Sequence, residues 1–302
     1  MPPLKLFLDH WAIINLLEKP SFATQRERLV LLCKNRVCVL ILTIWYVHEA
    51  LRDGNKDRAR TLCSKIGALS KEVPCLWIRL KTELQEDEIA EAFFGSIGVL
   101  YRKRNPFCEE AFAIFPELDK HTDLESLKKE GLVWFFNKPK LFGEALSEQR
   151  KYPVIKSELK AAVQAMVGRK GLSVEAKRQY VERLLPSRYP GGLVIADESK
   201  RQFLQQMDIK KFRALSFEAA LSDVTTADAQ THPTEQDSVD LQHAVSMVPY
   251  VDVAVLDAKF YKYASTVKKN WRGAEPLAEC FDSVDVALDW IEKEAAKRQP
   301  IV

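Results

Sequence analysis

The stretch Glu235–Tyr261, EQDSVDLQHAVSMVPYVDVAVLDAKFY, decides how the rest of the chain is read. Val239, Ala244, Val245, Met247 and Val248 fall mostly on one side of a helix that starts near Asp237 and carries Asp240 in its first turn. Pro249 ends that helix, since its ring removes a donor and clashes with the preceding turn. Val251 to Leu256 then reads as a short apolar strand rich in β-branched residues, with Asp257 where the strand would stop. A helix-borne acid and a strand-end acid joined by so tight a turn can face one crevice. The pair acquires chemical meaning only if other carboxylates arrive from elsewhere.

Two further acids meet that condition. Leu4 to Leu8 (LKLFL) is an apolar run fit for a buried strand, Asp9 ends it, and Trp11, Ile13, Ile14 and Leu17 have helical spacing. A strand–acid–helix order lifts a carboxylate to the carboxyl end of a parallel strand, where open α/β sheets hold ligands. Taken alone, Asp9 reads equally well as a helix cap. Val37 to Leu42 (VCVLIL) is apolar on both faces, as central parallel strands are. Thr43 caps the helix that follows through Ile44, Val47 and Leu51, and Glu49 interrupts its apolar run.

Composition bounds the rest. The 302 residues are 47% apolar and 29% charged, with a formal charge of +3, enough for a full core and too weakly basic to imply nucleic acid by itself. There is no apolar run near the length of a membrane span, and Leu6 to Leu17 is broken by Asp9 and His10, so neither a membrane anchor nor a signal peptide is expected. The six cysteines show no C-x-x-C pair and no zinc spacing, which fits reduced thiols in the cytoplasm.

From Val73 onward the character changes. Val73 to Leu80 reads as a further strand and Glu83 to Phe94 as an acidic helix. Helical periodicity then dominates: Ile155, Leu159, Ala162, Val163 and Met166 recur at helix spacing, and Ser173 caps a helix bearing Tyr180, Val181, Leu184 and Leu185. Basic residues outnumber acidic ones between Arg150 and Arg188. That excess reads as a solvated helical face or as a phosphate-tracking surface through Arg169, Lys170, Lys177 and Arg178. Thr225 to Gln236 reads as a loop, and Val284, Leu288, Ile291 and Ala295 as the stripe of a closing helix.

Parallel strands side by side would gather Asp9, Glu49, Asp240 and Asp257 at one sheet edge. Four carboxylates there repel one another unless cations are bound. Hard oxygen ligands with no histidine or cysteine expected nearby select Mg²⁺ or Mn²⁺ over zinc, ions suited to phosphodiester hydrolysis by activated water.

These residues resemble the PIN-domain nucleases: Asp9 after the first strand, Glu49 after the second, the helix Asp240-Leu241-Gln242-His243-Ala244, and the strand VDVAVLD ending at Asp257. The resemblance implies a three-layer α/β fold with a mostly parallel sheet of about four or five strands. It also implies Mg²⁺- or Mn²⁺-dependent cleavage of single-stranded or structured RNA, less often DNA. Asp9 and Asp240 would be the central ligands, Glu49 would hold the metal or its water, and Asp257 would be the fourth acid. Asp237 is an extra acid that also reads as a helix cap, and His243 reads as a packed helix residue bonded locally or as a general base. The resemblance covers roughly residues 1–75 and 222–302. Residues 76–221 have no counterpart in the minimal fold and read as a mostly helical insertion serving substrate selection, a lid or homo-oligomerisation.

Other readings compete less well. A haloacid-dehalogenase-type phosphatase would need a second Asp two residues after the first, and Trp11 stands there. A PIN-like scaffold that binds RNA or protein without catalysis is the non-enzymatic reading.

Overall fold

In a computed structural model, residues 2–43, 45–51, 55–109, 172–190, 192–227, 235–273 and 275–298 are described. Among them the protein is α/β, with a six-stranded, mostly parallel sheet in the order β4-β3-β2-β1-β5-β6. β1 (Leu4–Leu8) lies at its centre, paired in parallel with β2 (Cys38–Leu42) on one side and β5 (Val253–Val255) on the other. Leu6, Phe7, Leu8, Leu40, Ile41 and Leu42 are buried, as expected of strands covered on both faces. Each such side chain contributes about 1.5–3 kcal/mol by leaving water.

β3 (Cys75–Ile78) extends the sheet beyond β2 in parallel, and β6 (Glu279–Phe281) extends it beyond β5. The sixth strand, β4 (Phe107–Cys108), pairs antiparallel with β3. Two residues carry no alternation for a sequence pattern to reveal, which accounts for the strand beyond the expected four or five. The boundary drawn at residue 75 falls inside β3, so part of the segment read as insertion belongs to the central sheet.

The chain leaves β1 in one direction, through α1 (His10–Glu18) and α2 (Ala23–Lys34) to β2, and leaves β5 in the other, through α10 (Ala258–Lys269) to β6. Right-handed crossovers in opposite directions put their helices on opposite faces, an arrangement compatible with three layers. The closing helix α11 (Val284–Arg298) packs on α2 and on β5 and β6, burying Val284, Ala287, Leu288 and Ile291. α3 (Trp45–Leu51) and α4 (Lys56–Glu72) link β2 to β3, and Asn55 caps α4 by accepting from the Arg58 N–H.

A second, smaller core lies beside the first. Ile89, Phe93 and Phe94 of α5 (Lys81–Ser96) meet Val181 of α6 (Leu172–Leu184), Phe203 of α7 (Asp197–Gln206), and Leu215 of α8 (Arg213–Ala227). α8 also sends Ala214, Phe217 and Leu221 into the main core. Buried polar groups join the two cores. Glu88 accepts from the Ala214 N–H and, at 2.5 Å, from the Tyr250 hydroxyl, and Gln85 donates to Glu218 while accepting from Tyr180. Each donor removed from water there keeps an acceptor, which burial demands. The last helix of this layer, α9 (Glu235–Met247), contacts α3, α5, α8 and α10.

Candidate metal centre

Because β1 and β5 are neighbours whose connections run in opposite directions, the crevice beyond their carboxyl ends is a topological switch point. Asp9 follows β1 there, and its N–H donates to the Val255 carbonyl of β5 at 2.9 Å. Its side chain caps α1 through the His10 N–H. Asp257 does the same for α10, accepting from the Lys259 and Phe260 N–H groups at 2.8 and 3.1 Å. For both strand-end acids, capping and cleft placement hold together: the cap fixes the rotamer that faces the crevice.

The register at the other end of these strands is fixed by Asp252, whose carboxylate accepts from the Lys5 N–H at 2.7 Å. That residue serves the strand start, as its sequence position suggests, and lies one strand length from the acids.

Asp240 enters from α9, 7% exposed, and Glu49 from α3, 5% exposed, whereas Asp9 is 4% exposed. Ligand oxygens of Asp9, Asp240 and Asp257 lie within 4.8 Å of one another. Asp9, Glu49 and His243 form a second group by the same measure, sharing Asp9 with the first. Asp9 is thus common to both groups: Asp240 and Asp257 meet it on one side, and Glu49 meets it together with His243 on the other.

His243 sits one turn after Asp240 on the same helix face and is essentially buried. Its Nδ1 lies 3.0 Å from Asp9 Oδ1, so its hydrogen bond reaches across the fold instead of closing locally. A carboxylate only accepts, which places the proton on Nδ1. The ring is edge-on to both Phe7 and Tyr46, at 5.8 and 6.2 Å between centroids. Burial works against the charged imidazolium, but the Asp9 hydrogen bond and the charges of Glu49, Asp9 and Asp240 outweigh it and raise the His243 pKa.

Two residues that sequence reading passed over complete the surroundings. The Tyr46 hydroxyl donates to the Leu8 carbonyl, the last of β1, and burial together with Asp9 and Glu49 pushes its pKa well up. His10 Nδ1 lies 3.2 Å from Glu49 Oε2, and its ring stacks on Tyr46. The sequence signal for both was adjacency: His10 follows Asp9, and Tyr46 precedes Glu49 by three residues, one helical turn. Trp11 packs half-buried against the main core.

The remaining candidates lie elsewhere. Asp237 falls in the first turn of α9, with its side chain outside the described residues, as are Arg169 and Lys170 altogether. Lys177 is placed on α6 by its backbone alone. Arg178 is exposed and lines a cleft between α8 and α10 that none of the four acids touches. No helix among the described residues is long and apolar enough to cross a membrane. All six cysteines are free thiols.

The donor set suits a hard divalent cation. Asp9, Asp240 and Asp257 offer three carboxylate oxygens, the ligand type that Mg²⁺ and Mn²⁺ take. His243 and His10 stand beside the acids, contrary to the expectation of no histidine nearby, because the packing of α9 and the start of α1 carry them there. No family model, curated protein or solved structure matches the chain.

Proposed function

We propose that this protein is a PIN-like, Mg²⁺- or Mn²⁺-dependent nuclease that hydrolyses phosphodiester bonds, with RNA as its substrate. The observation that carries the reading is the convergence of Asp9, Asp240 and Asp257 oxygens within 4.8 Å at the sheet's switch point, three like charges brought together from three elements. Such a cluster is costly without a cation, and protein cores do not gather carboxylates for packing.

In this reading Asp9, Asp240 and Asp257 hold the ion through oxygen, and Glu49 adds a further carboxylate from the α3 side. When bound, a divalent ion supplies Lewis-acid chemistry, lowering the pKa of water and offsetting charge on the phosphoryl oxygens. His243 acts through Asp9: its hydrogen bond at 3.0 Å holds one carboxylate oxygen, and the rings of Phe7 and Tyr46 hold the imidazole. Tyr46 ties the end of β1 to α3, so the elements that present Asp9 and Glu49 keep a common position. His10 Nδ1 stands 3.2 Å from Glu49 Oε2, a charge partner for that carboxylate when the ring is protonated.

Cleavage of a single-stranded RNA by purified protein tests the reading, with Mn²⁺, with Mg²⁺ and with chelator. Metal-dependent cleavage that Asp240→Asn lowers by at least about a hundredfold is expected, since ligand loss removes the ion from the reaction. RNA left intact by wild type in both metals would instead favour a binding scaffold, and cleavage of single-stranded DNA alone would move the substrate class.

A further inference from the structure

Beyond the acids, the described surface carries one feature that the nuclease reading does not absorb: a cationic track that leads away from the site along α10. Lys259, Lys262, Thr266, Lys269 and Asn270 recur at three- and four-residue spacing after Asp257, which puts them on one stripe of the helix. Lys262, Thr266, Lys269 and Asn270 are exposed. The opposite stripe, Phe260, Tyr263, Ala264 and Val267, is buried.

The track ends in a cleft of about 520 Å³ between α8 and α10. Thr266 and Asn270 belong to both, so track and cleft are continuous. The cleft's wall is apolar where Val224, Val267 and Trp271 line it. The indole is held rigidly: its N–H donates to the Glu275 carbonyl at 2.8 Å, its ring meets Phe217 edge-on, and Gly273 lies so close that a Cβ would come within 2.2 Å of it. Cations ring the opening, namely Arg178, Lys210 and Arg272, all exposed. Asp208 and Asp223 line the cleft too, but the Asp208 carboxylate is engaged in capping a short 3-10 turn through the Lys210 N–H. None of Lys210, Lys262, Lys269 and Arg272 is in an ion pair among the described residues.

We infer that single-stranded nucleic acid lies along α10, its phosphates on the Lys262–Lys269 stripe and one nucleotide in the Trp271 cleft. The inference rests on the nuclease reading for which strand end is cut, and adds how the substrate is held. Thr266 stands nine residues after Asp257, about 14 Å along the helix axis, so a strand held in the cleft passes the acids within a few nucleotides. Backbone charge supplies affinity on the track, and the apolar wall beside cations suits a base with its phosphate. The cleft lies between helices of both cores, which gives the added helical layer a role in gripping substrate.

The test is binding of a fluorescent oligouridylate of about ten nucleotides by the full chain in chelator, across a series of salt concentrations. The triple variant Lys210→Ala, Lys262→Ala, Arg272→Ala is compared with wild type and with a control on other surfaces, Lys19→Ala, Lys71→Ala, Lys293→Ala. Loss of three phosphate contacts should weaken binding by about tenfold or more and lower the salt slope by about 2, while the control binds as wild type does. An unchanged slope, an equal loss in the control, or equal affinity for a duplex would overturn the inference. Hydrolysis of a small chromogenic phosphodiester with Mn²⁺ is read in parallel, because it needs the acids and not the track. Its absence in wild type would remove the nuclease reading and leave the binding result standing. Its loss in the triple variant alone would place the three cations in the reaction chemistry and overturn their role as a track.

Discussion

Neutralising Asp240 should make the metal-free protein more stable and the metal-loaded protein less so. Asp240 shares a 4.8 Å neighbourhood with the Asp9 and Asp257 carboxylates. One like-charge pair at that distance costs about 1 kcal/mol in water and about 3.5 kcal/mol at the effective dielectric near 20 that suits protein sites. The His243 imidazolium attracts Asp240 and offsets part of this. Asp240→Asn keeps the shape, removes the charge, and should therefore raise stability in chelator by about 1–3 kcal/mol, a few degrees in Tm for a protein of this size. In Mn²⁺ at about a thousand times its Kd, wild type gains about 4.1 kcal/mol and the variant little, so the order reverses. Urea and thermal unfolding, each with chelator and with Mn²⁺, read both halves. A variant less stable than wild type in chelator would show that Asp240 is a structural hydrogen-bond partner. Equal gains from Mn²⁺ in both proteins would show that the ion binds elsewhere.

Two further outcomes follow from the groups around Asp9. The His243 pKa is raised on folding, so its imidazolium contributes stability that is whole below the unfolded value near 6.5 and is lost as pH climbs through the higher folded value. In chelator, the stability gap between wild type and His243→Gln should narrow as pH rises above about 6.5, and a gap that stays constant in urea unfolding would refute this assignment. Tyr46→Phe leaves the buried Leu8 carbonyl without its side-chain donor and should cost about 1–3 kcal/mol, measurable as a lower urea midpoint at unchanged slope.

Much of the fold was legible because its signals are local. Leu4–Leu8 and Cys38–Leu42 are short apolar runs ended by turn or capping residues, and both form strands within a residue of the expected bounds. The segment after Asp257 forms a helix whose buried stripe includes Phe260 and Tyr263, as its spacing suggests. Of the loop expected over Thr225–Gln236, Thr225 to Ala227 belong to α8 and Glu235 and Gln236 to α9, while 228–234 lie outside the described residues. Polar residues there, Thr225 among them, are helix-compatible once Leu221 and Ala244 are anchored in the core. The two-residue strand β4 and the joint between the cores had no comparable signal, because Glu88, Tyr250 and Ala214 meet across 126 and 162 residues.

The four acids could be picked from the sequence, since strand ends and the helices beside them announce where carboxylates will stand. Their partners could not. That His243 binds Asp9 across 234 residues, that Tyr46 ties the end of β1 to α3, and that α10 carries a cationic stripe into a cleft built by α8 all depend on long-range packing. Residue order determines which groups can ionise, cap or span a strand, because those properties act over one or two turns of chain. Which of them meet is decided by how the sheet orders its strands, for only there are charges distant in sequence brought within the few ångströms over which they act.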